Sequence, residues 1–296
     1  MAATSTSPSI SLRPGGRLRR RRLVNRAMEA VGTLAAALAV AVLVVVVVTV
    51  ALRAAPAIGW DFFTQPPNLF GGPGGGISSA IVGSALIVGV ATALALPTGV
   101  LIAIFLTEFA PPRLASGLQL VLDVLNGLPT IVTGIFVFGL LVVGHTQSAF
   151  AGGFALAIVM LPLVARATQE VLLLVPATLR EGGLALGASR WRTVVGVILP
   201  TTFGGILTGA VIAVARAAGE TAPLLFTSSI FSTELSTDVG RALPNIPVLI
   251  FNYSEQPDKA LHEQAWAASL VLMTFVLVAG LAARALLARS RRKLGR

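Results

Sequence analysis

The 296-residue sequence has no cysteine and only two histidines, His145 and His262. Without cysteine the chain has no disulfide, no thiol nucleophile and no thiolate metal site. The two histidines lie far apart without clustered carboxylates, so neither predicts a metal site. The sequence also lacks the GxxxxGK[ST], Gly-x-Ser-x-Gly and His-Glu-x-x-His signatures of nucleotide-binding and hydrolytic sites. We therefore expect no enzyme active site and no cofactor; any ATP must be bound by another chain.

Charged residues are scarce as well. They make up 11% of the sequence, against about 25% in soluble domains, whereas 55% of residues are hydrophobic and the mean hydropathy is +0.87. Ten-residue segments of alternating polarity, which would indicate a membrane β-barrel, are also missing. The composition therefore excludes a water-soluble globule and predicts an all-α membrane protein.

The net charge of +10 is concentrated at the two ends of the chain. Each basic cluster adjoins an apolar run, which is the placement that sets membrane topology and attracts anionic lipid. Nucleic-acid binding is accordingly not expected. The basic residues of the two clusters are Arg13, Arg17, Arg19, Arg20, Arg21, Arg22 and Arg26 in front, and Arg284, Arg289, Arg291, Arg292, Lys293 and Arg296 behind.

Six apolar stretches are long enough to cross a bilayer, which takes about 20 residues. The first, 27–52, far exceeds the 7–15 apolar residues of a signal peptide and is interpreted as a retained transmembrane helix. It follows a basic cytoplasmic tail, 1–26, and a second basic tail covers 289–296. Six spans with both termini cytoplasmic predict a multi-pass protein of the plasma or inner membrane. The remaining predicted spans are 77–107, 118–143, 150–171, 202–226 and 266–288.

Two pairs of opposite charge fall inside predicted spans. Arg216 and Glu220 are four residues apart in the fifth span, where a charge costs about 2.5–3.5 kcal/mol on insertion scales. This spacing stacks them on one helix face, so they line an anion pathway or form a structural ion pair. Arg166 and Glu170 repeat the spacing nearer the cytoplasmic end of the fourth span. For Arg166, substrate contact competes with a role in setting topology or anchoring the loop.

A polar interruption, EGGLALGASRWRTVVGVILP at 181–200, separates two apolar stretches. A membrane protein that keeps such a segment between spans is expected to present it to a cytoplasmic partner. The residues assigned to this candidate partner-binding loop are Arg180, Glu181, Gly187, Arg190, Trp191, Arg192 and Pro200.

This segment resembles the cytoplasmic loop of ABC importer membrane subunits: Glu-Ala-Ala, three residues, Gly, nine residues, Ile-x-Leu-Pro. Glu181, Gly187 and Pro200 fall in register. Gly182 and Gly183 replace the two alanines, and each glycine costs a helix about 1 kcal/mol relative to alanine. The short helix is therefore expected to rely on its partner for order.

The resemblance extends over about 77–290 to the PstA-type permeases of phosphate importers. It rests on LNGLPTIVTGIFVF (125–138), the stretch 161–200, ARAAGETAPLLFTS (215–228) and LPNIPVLIFNYSEQPD (243–258). It implies the type I ABC importer permease fold, with 77–288 as the core and 27–52 as an additional span. It also implies a PstC-like permease, an ABC ATPase dimer and an extracytoplasmic phosphate-binding protein as partners.

By the same resemblance, Arg216 and Glu220 correspond to the family's intramembrane charged pair, and 181–200 is the coupling helix. Arg190, Trp191 and Arg192 are added as polar and aromatic contacts with the ATPase. An arginine fork suits phosphate because it matches the anion's oxygens bidentately.

Three alternatives remain at this point. The first is a permease for another oxyanion, sulfate or molybdate. The second is a secondary transporter or channel that needs no ATPase, although related hydropathy halves are not evident. A membrane-embedded enzyme is disfavoured because no nucleophile–base or metal-ligand set lies within the spans.

Overall fold

The computed structural model describes residues 16–68, 74–229 and 234–294. Much of the basic tail 1–26, part of the glycine-rich stretch 71–76 and the last residues of the tail 289–296 lie outside these ranges. Within them the chain is helical and has no strand. The helices are α1 Gly16–Ala54, α2 Trp60–Thr64, α3 Ser78–Ile104, α4 Pro112–Gly127, α5 Thr130–Val137, α6 Ala149–Leu173, α7 Ala177–Ala185, α8 Arg190–Thr193, α9 Leu199–Ala217, α10 Ala222–Thr227, α11 Ile246–Ser254 and α12 Lys259–Leu294.

Five helical stretches of the described chain are long and apolar enough to span a membrane, and a bent pair supplies the sixth. The pair is Pro112–Gly127 and Thr130–Val142, which meet at 97°. The predicted third span is therefore not a straight helix. Pro129 causes the break, because it lacks an N–H group and forces the preceding Leu128 out of the helical region, to φ −68° and ψ 134°. With the bent pair taken as one span, the prediction of six is confirmed.

The chain forms two compact units, Met1–Thr49 and Val50–Arg296. The described side chains of the first unit are nearly all exposed and belong to the apolar helix α1. The second unit contains the other eleven helices and the buried core.

Helices α3 and α6 form the centre of the second unit and meet through small residues. A Cβ added at Gly99 would lie 2.8 Å from Cγ1 of Val164, and one added at Gly153 would lie 2.6 Å from Cγ1 of Val90. Small residues allow helix backbones to approach closely where lipid provides no hydrophobic driving force between helices. The α3–α6 pair is thus the tightly packed centre of the second unit.

The segment between α10 and α12 is partly exposed and partly packed into the bundle: residues 234–242 are largely exposed, whereas 243–249 are buried. The first N–H groups of α6 are bonded to it: Ala149 donates to the carbonyl of Arg241 at 2.7 Å and Phe150 to that of Val239 at 2.9 Å. These carbonyls satisfy donors that a helix start leaves without intrahelical partners. The loop therefore caps α6.

The same segment also touches α3. A Cβ at Gly83 would lie 1.9 Å from the carbonyl oxygen of Pro244, so only glycine fits there. Asn245 caps α11 by accepting from the N–H of Val248 at 3.1 Å. Tyr253 on α11 is fully buried, and this burial raises its pKa to about 12. The buried part of this segment is therefore its apolar part, Leu243 and the first turns of α11.

Candidate functional site

The predicted coupling loop folds as α7, a tight turn and α8. We call residues 177–193 the α7–α8 face. Gly187 ends α7 with φ at +80°, a conformation that residues with a Cβ rarely adopt. Its N–H donates to the carbonyl of Leu184 at 2.9 Å, and the N–H of Ala188 donates to that of Gly183 at 3.2 Å. This is the Schellman arrangement, which explains a glycine at this position of the loop.

The structure explains the departure from the family pattern at Gly183 but not at Gly182. A Cβ at Gly183 would lie 2.7 Å from Cγ2 of Thr193, so glycine lets α7 pack closely on the residue that ends α8. A Cβ at Gly182 would meet nothing within 4 Å. The expected flexibility of α7 is therefore offset at Gly183 by close packing within the chain, whereas nothing in the structure explains Gly182.

The α7–α8 face presents apolar and charged side chains together. Leu186 is 90% exposed and Trp191 is 53% exposed, while Glu181, Arg190 and Arg192 are also exposed. Large exposed apolar groups next to charges are typical of a surface that binds another protein.

Trp191 also contacts the turn that follows α3. Its ring centroid lies 6.3 Å from that of Phe109, with an interplanar angle of 42°. Phe109 closes a π-helical turn, Phe105–Phe109, that follows α3 directly. The exposed face is therefore joined to the central helix pair through this turn.

Arg180 does not extend outward with the rest of the predicted loop. Its Nε donates to the two carboxylate oxygens of Glu108 at 3.0 and 3.2 Å, and its Nη2 donates to Oε1 at 2.9 Å. Nη2 and Nη1 also donate to the carbonyls of Leu172 at 2.8 Å and Val175 at 2.6 Å. The side chains of Arg180 and Glu108 are only 26% and 10% exposed. The guanidinium thus has four acceptors within the chain.

A cavity of about 240 Å³ opens beside this pair. Glu108 and Arg180 line it together with Leu184 and Arg190 of the α7–α8 face. It is large enough for one side chain of a docked protein, and it adjoins the exposed surface.

Pro200 belongs to a long helix, not to a loop. The chain is helical from Arg190 to Ala217, so the fifth span begins and ends earlier than the predicted 202–226. A π-helical turn, Val194–Ile198, stands immediately before Pro200. A proline in a helix clashes with the carbonyl four residues earlier, and the wider turn accommodates this residue without ending the helix.

Arg216 and Glu220 lie where this helix ends. The expectation that both share one face within the span is wrong, because α9 ends at Ala217 and Glu220 lies in the turn before α10. Gly219 and Pro223 disfavour continuation of the helix. The two side chains nevertheless remain close: Arg216 Nε is 3.9 Å from Glu220 Oε1, too far for a hydrogen bond. Arg216 is 62% exposed and Glu220 is 19% exposed.

Arg166 pairs with a residue that its spacing did not indicate. Its guanidinium donates to Asp123 on α4, and Glu170 is exposed instead. The Arg166 and Asp123 side chains are 40% and 56% exposed. Within the described chain, no ion pair connects Arg166 with Arg216 or Glu220.

Sequence reasoning missed both Glu108 and Asp123 as partners of arginine residues. Glu108 stands in Glu-Phe-Ala-Pro-Pro just after a predicted span, where a carboxylate normally indicates only the membrane boundary. Asp123 lies in the predicted third span and belongs to no motif there. Both pair with arginines more than 40 residues away, and one sequence without covariation carries no signal for such contacts.

Residues 95–292 match the family of binding-protein-dependent transport system inner membrane components. Among curated proteins, the chain is 38% identical to the phosphate transport system permease protein PstA of Xylella fastidiosa, over 92% of this chain and 96% of that protein. It is 40% identical to the PstA of Yersinia pestis, over 77% of each.

Two solved structures share the fold at low identity. A chain of the inward-facing MetNI methionine ABC transporter aligns with a TM-score of 0.54 at 18% identity, over 71% of this chain and 95% of that one. A chain of a bacterial importer of the acidic polysaccharide alginate aligns at 0.53 and 17%, over 93% and 99%. The predicted all-α membrane architecture of the type I ABC importer permeases is confirmed.

Proposed function

Because the chain belongs to the family of binding-protein-dependent transport system inner membrane components, we propose that it is a permease subunit of an ATP-driven phosphate importer. Curated PstA proteins support this substrate, since they are at least 35% identical to the chain over most of its length. These relatives do not favour the alternative, a permease for sulfate or molybdate.

The α7–α8 face is the observation that carries the proposal. It joins two membrane-length helices, it is rigidly built around Gly187, and it exposes Leu186, Trp191 and Glu181 to a partner. We propose that this face lies on the cytoplasmic side of the membrane. The partner that docks on it is an ABC ATPase dimer, which binds the ATP. Glu181, Arg190 and Arg192 supply charged contacts, and Leu186 and Trp191 supply the apolar centre of the interface.

Arg216 and Glu220 are assigned to the anion pathway. An exposed guanidinium at the end of a membrane-length helix is unfavourable in lipid and suits a polar passage. Glu220 lies near enough to attract Arg216 but is not hydrogen-bonded to it, so the arginine's donors stay available to a phosphate oxygen. Arg166, half-exposed beside Asp123, is placed nearer the cytoplasmic end of the same pathway.

The working complex contains this chain, a PstC-like permease, the ATPase dimer and an extracytoplasmic phosphate-binding protein. Both termini of this chain face the cytoplasm, where the basic clusters meet anionic lipid. ATP closes the ATPase pair, the motion passes through the α7–α8 face, and the spans open toward the loaded binding protein. The chain contributes a pathway and a coupling surface, not a catalytic site.

The direct test is uptake of labelled phosphate by the complex in liposomes, with sulfate and molybdate as competitors. We expect ATP-dependent uptake that a tenfold excess of either competitor leaves unchanged. Uptake without any ATPase would instead show a secondary transporter. Competition by sulfate or molybdate would show a permease for another oxyanion.

Attachment of the ATPase is tested by Leu186→Glu. This side chain is 90% exposed, so the substitution leaves the fold intact and affects only what docks there. We expect at least a tenfold loss of co-purifying ATPase. Leu235→Glu is the matched control, since Leu235 is also an exposed leucine but lies near the start of α6, away from the α7–α8 face. Equal ATPase recovery from both variants would contradict the assignment of this face.

A further inference from the structure

The strongest interaction that the proposed function leaves unexplained is the Arg180–Glu108 pair. Arg180 precedes Glu181 in the α7–α8 face, yet its guanidinium is engaged inside the chain. Glu108 belongs to the π-helical turn Phe105–Phe109 at the end of α3. Leu172 and Val175, the carbonyl partners, stand at the end of α6. One side chain therefore joins α7 to the ends of both central helices.

This geometry differs from that of an ordinary surface salt bridge. The fork of Arg180 makes three hydrogen bonds with the Glu108 carboxylate, between 2.9 and 3.2 Å, and both side chains are mostly buried. Charge-assisted bonds with this planar geometry are strong and directional. A displacement of α7 therefore either moves the four acceptors of Arg180 with it or breaks several of these hydrogen bonds at once.

A second contact joins the same two parts of the chain, the α7–α8 face and the π-helical turn after α3. Trp191 on α8 packs against Phe109, the neighbour of Glu108. The α7–α8 face consequently meets the π-helical turn through one polar and one aromatic contact. Single π-helical turns occur frequently at functional positions in helices, and this one lies between the face and the tightly packed α3–α6 pair.

We propose that the Arg180–Glu108 pair is the positioning link through which movement of the α7–α8 face reaches α3 and α6. This inference rests on the proposed function, because it assumes that an ATPase moves the face. Arg180 is then a positioning residue that acts behind the docking surface and does not touch the ATPase. Its loss should separate ATP hydrolysis from transport without releasing the ATPase.

The test is a double-mutant cycle on the number of phosphate ions imported per ATP hydrolysed by the reconstituted complex. The variants are Glu108→Gln, Arg180→Gln and the double substitution. This ratio does not depend on how much complex is recovered, so a loss of stability alone leaves it unchanged. We expect at least a tenfold lower ratio in each single variant, with ATPase recovery within twofold of the unsubstituted chain.

The double variant should be no worse than the more affected single variant, because residues that act through one contact are not additive. The proposal would be overturned if the loss in the double variant equalled the product of the two single losses. It would also be overturned if Glu108→Gln kept the phosphate-to-ATP ratio within twofold of that of the unsubstituted chain. Uptake and hydrolysis that fall in proportion would also overturn it, since the pair would then be only structural. If Arg180→Gln fails to accumulate, the isosteric Glu108→Gln and the shortened Glu108→Asp carry the same comparison.

Glu263→Gln is the matched control. Glu263 forms an i,i+4 pair with Lys259 at 3.9 Å at the start of α12, and the lysine is 91% exposed. We expect an unchanged ratio in this variant. Failure of the proposed function is distinguishable, because the unsubstituted chain would then bind no ATPase or import no phosphate before any variant is compared.

Discussion

Two arginine–glutamate pairs lie at helix ends in this molecule, and they differ in almost every physical respect. Arg180 and Glu108 are mostly buried and share three hydrogen bonds, and Arg180 also contacts two carbonyls. Arg216 and Glu220 share only a 3.9 Å contact, and Arg216 is largely exposed. A saturated, buried arginine positions protein elements, whereas an exposed arginine with available donors can bind an anion. On our proposal, this difference suits the first pair to coupling and the second to substrate contact.

Replacement of Arg216 by alanine should have the largest effect on transport. A charge-assisted hydrogen bond contributes about 1.5–3 kcal/mol, so we expect uptake of labelled phosphate to fall about 10–100-fold while assembly is unchanged. Arg241→Ala is the control, because Arg241 is also an exposed arginine with a neighbouring acidic partner, Asp238. Normal uptake by Arg216→Ala would show that this arginine has only a structural role. The two pairs would then not differ in function as we propose.

The free energy of unfolding should be more sensitive to loss of Arg180 than to loss of Arg216. Arg180→Ala leaves Glu108 mostly buried without its partner, and we expect the free energy of unfolding in detergent to fall by about 2 kcal/mol. Arg216→Ala should change it by less than about 1 kcal/mol, since exposed pairs contribute little. Denaturant unfolding of the two purified variants measures this difference. Equal losses would show that burial does not separate the pairs.

The α7–α8 face allows a sharper comparison between two glycines. Gly187→Ala forces a Cβ into a left-handed conformation at a cost of about 1 kcal/mol, so we expect ATPase attachment to weaken about fivefold. Gly182→Ala introduces a Cβ that meets nothing and improves helix propensity, so attachment should be unchanged or stronger. Pull-down of the ATPase at several concentrations gives both values. Similar weakening in both variants would mean that the Schellman turn does not organise the face.

Arg166→Ala should have the smallest effect. Its pair with Asp123 is half-exposed, so we expect a change in unfolding free energy below about 1 kcal/mol and an uptake loss of less than tenfold. If Arg166 contacts the anion as we propose, Asp123→Asn should preserve more uptake than Arg166→Ala, because the arginine is kept. A larger loss in Asp123→Asn would assign Arg166 to anchoring α4 and remove it from the pathway.

The sequence was sufficient for the features that depend on local chemistry. Apolar runs of known length predicted the number of membrane spans, although the third is bent and the fifth is shifted toward the N-terminus. The register of Glu181, Gly187 and Pro200 placed a short helical segment where the structure has α7 and α8. The break of the third span could be expected from Pro129, although its 97° angle could not. These features follow from residues within one or two helical turns of each other.

Features that depend on distant contacts were not predictable. Arg166 was paired with Glu170 by spacing, whereas the fold brings Asp123 closer. The early end of α9 placed Glu220 in a turn, because the helix propensity of Ala217 and Ala218 did not outweigh Gly219 and Pro223. The burial of 243–249 was also missed, since it requires the specific fit of Gly83 against the carbonyl of Pro244.

That fit has a practical consequence for mapping which side of the membrane each segment faces. Epitope tags are normally inserted between predicted spans, but an insertion between 243 and 254 would displace the chain from α3. The tag would then report the sidedness of a damaged fold. Leu235 and Thr237 are exposed and precede the carbonyls that cap α6. A tag placed there keeps the native fold, so antibody access would report true sidedness.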